Sequence, residues 1–403
     1  MNKVYNTVWN ESTGTWVVTS ELTRKGGLRP RQIKRTVLAG LIAGLLMPSM
    51  PALAAAYDNQ TIGRGETSKS MHLSAGDTAK NTTINSGGKQ YVSSGGSATS
   101  TTINIGGVQH VSSGGSATNT TVNNGGRQTV FSGGSAMGTI INSGGDQYVI
   151  SGGSATSASV TSGARQFVSS GGIVKATSVN SGGRQYVRDG GSATDTVLNN
   201  TGRQFVSSGG SAAKTTINSG GGMYLYGGSA TGTSIYNGGR QYVSSGGSAT
   251  NTTVYSGGRQ HVYIDGNVTE TTITSGGMLQ VEAGGSASKV IQNSGGAVIT
   301  NTSAAVSGTN DNGSFSIAGG SAVNMLLENG GYLTVFDGHQ ASDTMVGSDG
   351  TLDVRSGGVL YGTTTLTDKG ALVGDVVTNE GNLYYLNNST ATFTGTLTGT
   401  GTL

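Results

Sequence analysis

From residue 90 onward, one position recurs at a fixed interval. Gln stands at positions 90, 109, 128, 147, 166, 185 and 204, each 19 residues after the last, and Met223 holds the next slot. One unit of 18 residues then leads to Gln241, Gln260 and Leu279. Val298 keeps the spacing, after which the pattern blurs through Leu333 and Leu352. A period near 20 with Gly-Gly at fixed offsets predicts a solenoid, whose units stack and cannot bury a core singly. Composition alone would allow disorder, since 72 of 403 residues are Gly and 33% are hydrophobic. A strict period argues against it.

The inward positions follow from what each column tolerates. One column reads Val92, Val111, Val130, Val149, Val168, Val187, Val206, Leu225, Val243, Val262 and Val281. A second runs from Ala98 and Ala117 to Val268 and Ala287, and a third from Ile103 and Val122 to Val254 and Ile273. None accepts a polar residue, so these three form the core. Between Gln and Val lies a column of Tyr91, His110, Thr129, Tyr148, Phe167, Tyr186, Phe205, Tyr224, Tyr242, His261 and Gln280, which swaps aromatic for polar and therefore faces solvent. Strand side chains alternate between faces, so the Gln two places before each Val points inward.

Gln90, Gln109, Gln128, Gln147, Gln166, Gln185, Gln204, Gln241 and Gln260 thus form a predicted buried amide ladder, each NH2 reaching the amide oxygen of an adjacent rung. The exceptions, Met223, Leu279 and Val298, are apolar. Gly-Gly pairs turn the corners, where positive φ is easy and bulk is unwelcome. The fold is predicted to be all-β, a parallel β-helix of 19-residue rungs. About 18 rungs make a rod near 85–90 Å long at the strand spacing.

The predicted organisation is a cleaved leader (1–54), a lead-in or cap (55–85), regular rungs (86–300) and degenerate rungs (301–403). The last are marked by Gly331-Tyr332-Leu333, Gly350-Thr351-Leu352 and Gly381-Asn382-Leu383. In the leader, Lys3, Arg24, Lys25, Arg29, Arg31, Lys34 and Arg35 precede the apolar run from Val37 to Met47. That run is too short for a bilayer, which needs about 20 residues, and suits a secretory signal. Pro48 and Pro51 end it, and cleavage is expected after Ala54 or Ala56. Cleavage after Ala54 removes seven of 23 basic and two of 20 acidic residues, leaving 16 against 18 and a net charge of −2. The basic balance belongs to the leader, so it does not point to nucleic acid.

The opening Met1-Asn2-Lys3-Val4-Tyr5, with Trp9-Asn10, Trp16-Val17-Val18 and Ser20-Glu21-Leu22, resembles the extended signal region of large type V secreted proteins. The 19-residue repeat resembles the passenger repeat of AIDA-type, self-associating autotransporter adhesins. The resemblance implies a right-handed β-helical passenger on a Gram-negative outer membrane, acting in adhesion, autoaggregation and biofilm formation. It implies as partners like passengers on neighbouring cells and host or surface glycans and proteins. It further implies a heptosyltransferase acting on Ser and Thr, with Ser93, Ser94, Ser97, Thr99 and Thr102 as candidate acceptors. The family's membrane β-barrel is not visible before Leu403, so a truncated passenger, a sequence cut short or a product needing a separate barrel is expected.

The alternative function is a β-helical enzyme acting on extracellular polysaccharide. Such chemistry needs carboxylates converging on one face. Asp146, Asp189, Asp195, Asp265, Glu270 and Glu282 instead occupy different columns and read as solvated charge. No Cys is present to bind zinc or form a disulfide, His110 and His261 stand eight rungs apart, and no Asp column recurs for calcium. No catalytic residue, metal or cofactor is implied. The basic column Lys89, Arg127, Arg165, Arg184, Arg203, Arg240 and Arg259 reads either as solubility along a strand edge or as a stripe for an acidic partner, a glycan or a second rod.

Overall fold

The computed structural model describes residues 53–388 and 392–403, together with two strands nearer the N-terminus, Tyr5–Asn10 and Thr15–Ser20. These two pair antiparallel, with Trp9 opposite Trp16, in a unit distinct from Ala54–Leu403. The apolar run of the leader lies outside the described residues.

The Ala54–Leu403 unit is a parallel β-solenoid. A typical turn has three short strands: Lys89–Val92, Ser97–Thr99 and Thr102–Ile103. Each pairs in parallel with its equivalent 19 residues on, so that Gln90 faces Gln109, Ala98 faces Ala117 and Ile103 faces Val122. The first of these faces is a 16-stranded sheet running from Ser70–Leu73 to Ala371–Val373. Val92, Ala98 and Ile103 are fully buried, as are their counterparts along the regular rungs. The core is therefore a thin aliphatic thread along the axis.

The two glycines of each corner have separate jobs. Gly95 has φ +84°, where a side chain is strained. At Gly96 a Cβ would stand 2.3 Å from the carbonyl oxygen of Leu73, so close approach of the neighbouring rung forbids it. The corner between the second and third faces is a single left-handed residue, such as Ser100, Asn119 or Asp195, each near φ +55°. Further on, the second and third faces merge into single strands, Ser248–Val254, Asn267–Ile273 and Ser286–Gln292.

One expectation for the C-terminal part needs correction. Residues 305–323 are not a loosened rung: Ala305–Asn310 pairs antiparallel with Gly313–Ala318, which pairs antiparallel with Ser321–Val323. Parallel winding resumes when Tyr332–Val335 joins Ala297–Asn301. Leu333 and Leu352 then occupy the first face, but Leu383 does not. It pairs in the four-stranded sheet of Leu326–Leu327, Met345–Val346, Thr363–Thr367 and Asn382–Leu386, while Leu372 holds the first-face slot. The 31-residue step from Leu352 to Leu383 is no multiple of the period, which is why the face changes.

Candidate functional site

The interior is built for register. All nine ladder glutamines are buried. From Gln109 to Gln204 each Nε2 donates to the Oε1 of the preceding rung over 2.6 to 2.8 Å. Met223 interrupts the chain; Gln241 Nε2 donates to its sulfur at 3.3 Å, and Gln260 Nε2 to Gln241 Oε1 at 2.8 Å. A second set of partners is absent from the sequence reading. Thr101, Thr120, Thr139, Thr177, Thr196, Thr215, Thr252 and Thr271 are buried, and each Oγ1 donates to the Gln Oε1 eleven residues earlier. Each such oxygen thus uses both lone pairs where a Gln follows. The signal was in the sequence: eleven residues after Leu279, Thr gives way to Val290.

Asn residues form another ladder near the surface. Asn104, Asn123 and Asn142 each donate Nδ2 to the Oδ1 of the previous rung at 2.9 Å, and Asn199 and Asn218 continue after a break at Thr161. These amides satisfy polar groups that would otherwise cost about 1–3 kcal/mol each when buried.

The outward aromatic column is half-buried rather than open, because each ring covers the next. Tyr148, Phe167, Tyr186, Phe205, Tyr224 and Tyr242 stack with centroids 4.7 to 5.1 Å apart and interplanar angles of 10 to 18°. At the Thr129 gap, Phe131 leans over from the adjacent outward column to lie 5.6 Å from His110. Burial holds the His110 imidazolium below its ordinary pKa, and Lys89 and Arg127 push the same way. The basic column lies alongside, with Arg127 5.1 Å above the Tyr148 ring and Arg165 5.6 Å above Phe167.

Asp146 corrects the reading of solvated charge. It occupies the basic column, is buried, and accepts two hydrogen bonds from Arg165, from Nε at 2.8 Å and Nη2 at 2.9 Å. That bond raises the Arg165 pKa further. One rung of spacing brings opposite charges into a bidentate pair, which pays for the lost hydration. Of the others, Glu270 meets Lys289 at 3.1 Å, Glu282 accepts from Gln280 and meets His261 Nε2 at 2.8 Å, and Asp189 lies 3.7 Å from Arg188. Asp195 and Asp265 sit at left-handed corners. The degenerate rungs add one buried acid, Asp353, held by Arg355 at 2.7 Å and the Tyr332 hydroxyl at 2.7 Å. Burial and that bond push the Tyr332 pKa up to about 12. Among the described residues no three metal-ligating side chains gather.

Of the candidate acceptors, Ser94 is exposed at a corner with φ +50°, while Ser93, Ser97, Thr99 and Thr102 are partly covered on strand faces. Ala54 and Ala56 are exposed, and the backbone N–H of Ala55 donates to Asp77 Oδ1 at 2.7 Å. The outside therefore offers hydroxyls, amides, Arg and ring edges in ruled columns.

Comparison with known proteins assigns these columns to a family. The model described as the adhesin of the bacterial autotransporter system, probable stalk (AIDA), matches residues 66–107, 104–145, 132–183, 183–239, 224–277 and 307–369. The chain belongs to the AIDA family. Residues 1–49 match the extended signal peptide of the type V secretion system. The autotransporter adhesin/invasin TibA of Escherichia coli O78:H11 is 96% identical over 422 positions, spanning all of this chain and 43% of that protein. The Citrobacter rodentium autotransporter CRAC is 78% identical over 92 residues, 23% of this chain and 6% of its own length. A crystal structure of a TibA fragment hyper-glycosylated by TibC aligns at a TM-score of 0.58 and 93% identity, covering 62% of this chain and 99% of the fragment. The chain spans less than half the length of the curated relatives it matches. Family membership and the extended signal peptide place this chain among exported, surface-displayed autotransporter passengers of Gram-negative bacteria.

Proposed function

We propose that this chain is the adhesive, self-associating part of a surface-displayed passenger. The observation that carries the reading is the repetition of the outward columns in register. Because Gln90 pairs with Gln109 and every outward residue pairs likewise, Ser, Thr, Asn, Arg and Tyr recur at one strand spacing along the rod. Two rods lying side by side meet many weak contacts at once, and their effects multiply as avidity. Cells displaying the passenger on an outer-membrane barrel are expected to settle faster than cells displaying the barrel alone. Equal settling at verified surface expression sinks the reading.

We further propose that outward Ser and Thr, with Ser94 the most accessible of the five candidates, accept sugar from a heptosyltransferase. The hyper-glycosylation of the TibA fragment supports this. Co-expression with such an enzyme should add mass to peptides carrying the outward positions, whereas Thr101 and its buried equivalents stay unmodified. An unchanged intact mass removes glycosylation from the account.

A further inference from the structure

One rung departs from all its neighbours on the outside. The corner Ser207-Ser208-Gly209-Gly210 contracts to Tyr226-Gly227-Gly228 in the 18-residue unit, which places a tyrosine in an outward column that holds Ser207 before it and Ser244 after it. Tyr263 occupies the next position of that column. Two tyrosines therefore flank one serine across two strand spacings, about 9.6 Å. Their rings are nearly aligned with the main stack: Tyr226 lies within 14° of Tyr224, Tyr224 within 18° of Tyr242, and Tyr242 within 24° of Tyr263. The hollow between them measures about 400 Å³ and is lined by Tyr224, Tyr226, Tyr242, Ser244 and Tyr263.

The geometry points to a binding site for a pyranose ring of a neutral glycan, seated over Ser244 between Tyr226 and Tyr263. A flat ring stacks on an aromatic face at about 4.5–5 Å between centres, so a gap of two strand spacings takes one ring and no more. A pyranose presents C–H groups to both faces and hydroxyls around its edge. The lining answers both needs, with ring faces on two sides and phenol and serine hydroxyls on the rim. From Tyr148 to Tyr242 the rings of the main stack cover one another, whereas Tyr263 stacks on His261 at 4.0 Å and Tyr226 stands beside Tyr224 at 6.3 Å. The nearest acid on the same column, Glu282, is already engaged by His261 and Gln280, which leaves the slot without an unpaired carboxylate to repel or select charge. The inference rests on the adhesive reading only for its biological use, since it names what one part of the rod would hold.

The test uses the full exported chain, made in cells without a glycosyltransferase so that the hollow stays open. The probes are methyl α-mannopyranoside, methyl β-galactopyranoside and methyl β-glucopyranoside, with N-acetyltyrosinamide as the aromatic alternative, read by saturation-transfer NMR. At least one glycoside should receive saturation at its ring C–H protons. Tyr226→Ala and Tyr263→Ala should each weaken its binding by about five- to tenfold, the worth of one stacking contact. Ser244→Tyr fills the gap and should abolish binding while the rod melts at or above the wild-type temperature; Tyr236→Ala, on another face, should leave binding unchanged. The proposal is overturned if no glycoside receives saturation, if the signal survives Ser244→Tyr, or if N-acetyltyrosinamide alone binds, which would mark the slot as a dock for an aromatic side chain. Cells displaying Ser244→Tyr should settle as wild type does, so sugar binding and self-association fail separately.

Discussion

At the scale of the residue, Gln185 shows how the ladder distributes its hydrogen bonds. Its Nε2 donates to Gln166 Oε1 at 2.7 Å, and its own Oε1 accepts from Gln204 at 2.6 Å and Thr196 at 3.3 Å. Replacement by Met keeps a weak acceptor, as Met223 does for Gln241 and for Thr233 at 3.9 Å, and is expected to cost only about 1–2 kcal/mol. Gln185→Leu removes the acceptor altogether and strands the Thr196 hydroxyl. Adding Thr196→Val recreates the Leu279–Val290 pair and should recover about 1 kcal/mol, so the double variant costs less than the two singles summed. Gln185→Glu brings a carboxylate against Gln166 Oε1 with no donor between them. Its folded pKa must then lie above its unfolded value, so the penalty is full above the folded value, shrinks as pH falls below it and is gone below the unfolded value. Thermal melts of the set at neutral and acidic pH decide it; a Glu variant as stable as wild type at neutral pH contradicts the burial.

At the scale of the element, the legible parts were those where parity and chemistry agreed. Val92 and Gln90 share a face because they stand two positions apart, with only Tyr91 between them, and the apolar stand-ins at Met223 and Leu279 betray the inward direction of Gln. Thr101 escaped because it sits beside Thr102 and chemistry could not tell the two apart. The left-handed corner at Ser100 resets the alternation, turning Thr101 in and Thr102 out. Asp146 escaped because its partner lies 19 residues away, and residues 305–323 because an antiparallel excursion leaves no trace in a period. The same parity argument makes an expectation about deletions. Loss of Ser170 shortens a corner as the rung at Tyr226 does naturally, and should lower the melting temperature by only a few degrees. Loss of Phe167 instead moves Gln166 or Val168 to the wrong face, since a one-residue slip inverts every side chain of the strand. Circular dichroism and solubility of the two deletions should differ sharply; equal behaviour means that the strand can absorb a slip.

At the scale of the whole molecule, stability is a sum over rungs and the contacts between neighbours, so the rung is the natural unit of gain and loss. Removing residues 166–184 joins Arg165 directly to Gln185 and keeps every column continuous. Gln185 Nε2 then meets Gln147 Oε1, Val187 follows Val149, and Thr196 still serves Gln185. The shortened rod should fold with a parallel β spectrum, melt within a few degrees of the full chain, and be shorter by about 4.8 Å. Removing ten residues, 166–175, leaves the same number of junctions but sets Ala176 and Thr177 where Gln and an aromatic belong, and throws the ladder out of register on both sides. That chain should aggregate or resist expression. Small-angle scattering and thermal melts of the two deletions separate the outcomes, and a 19-residue deletion as damaging as the ten-residue one would show that the rungs are not interchangeable units.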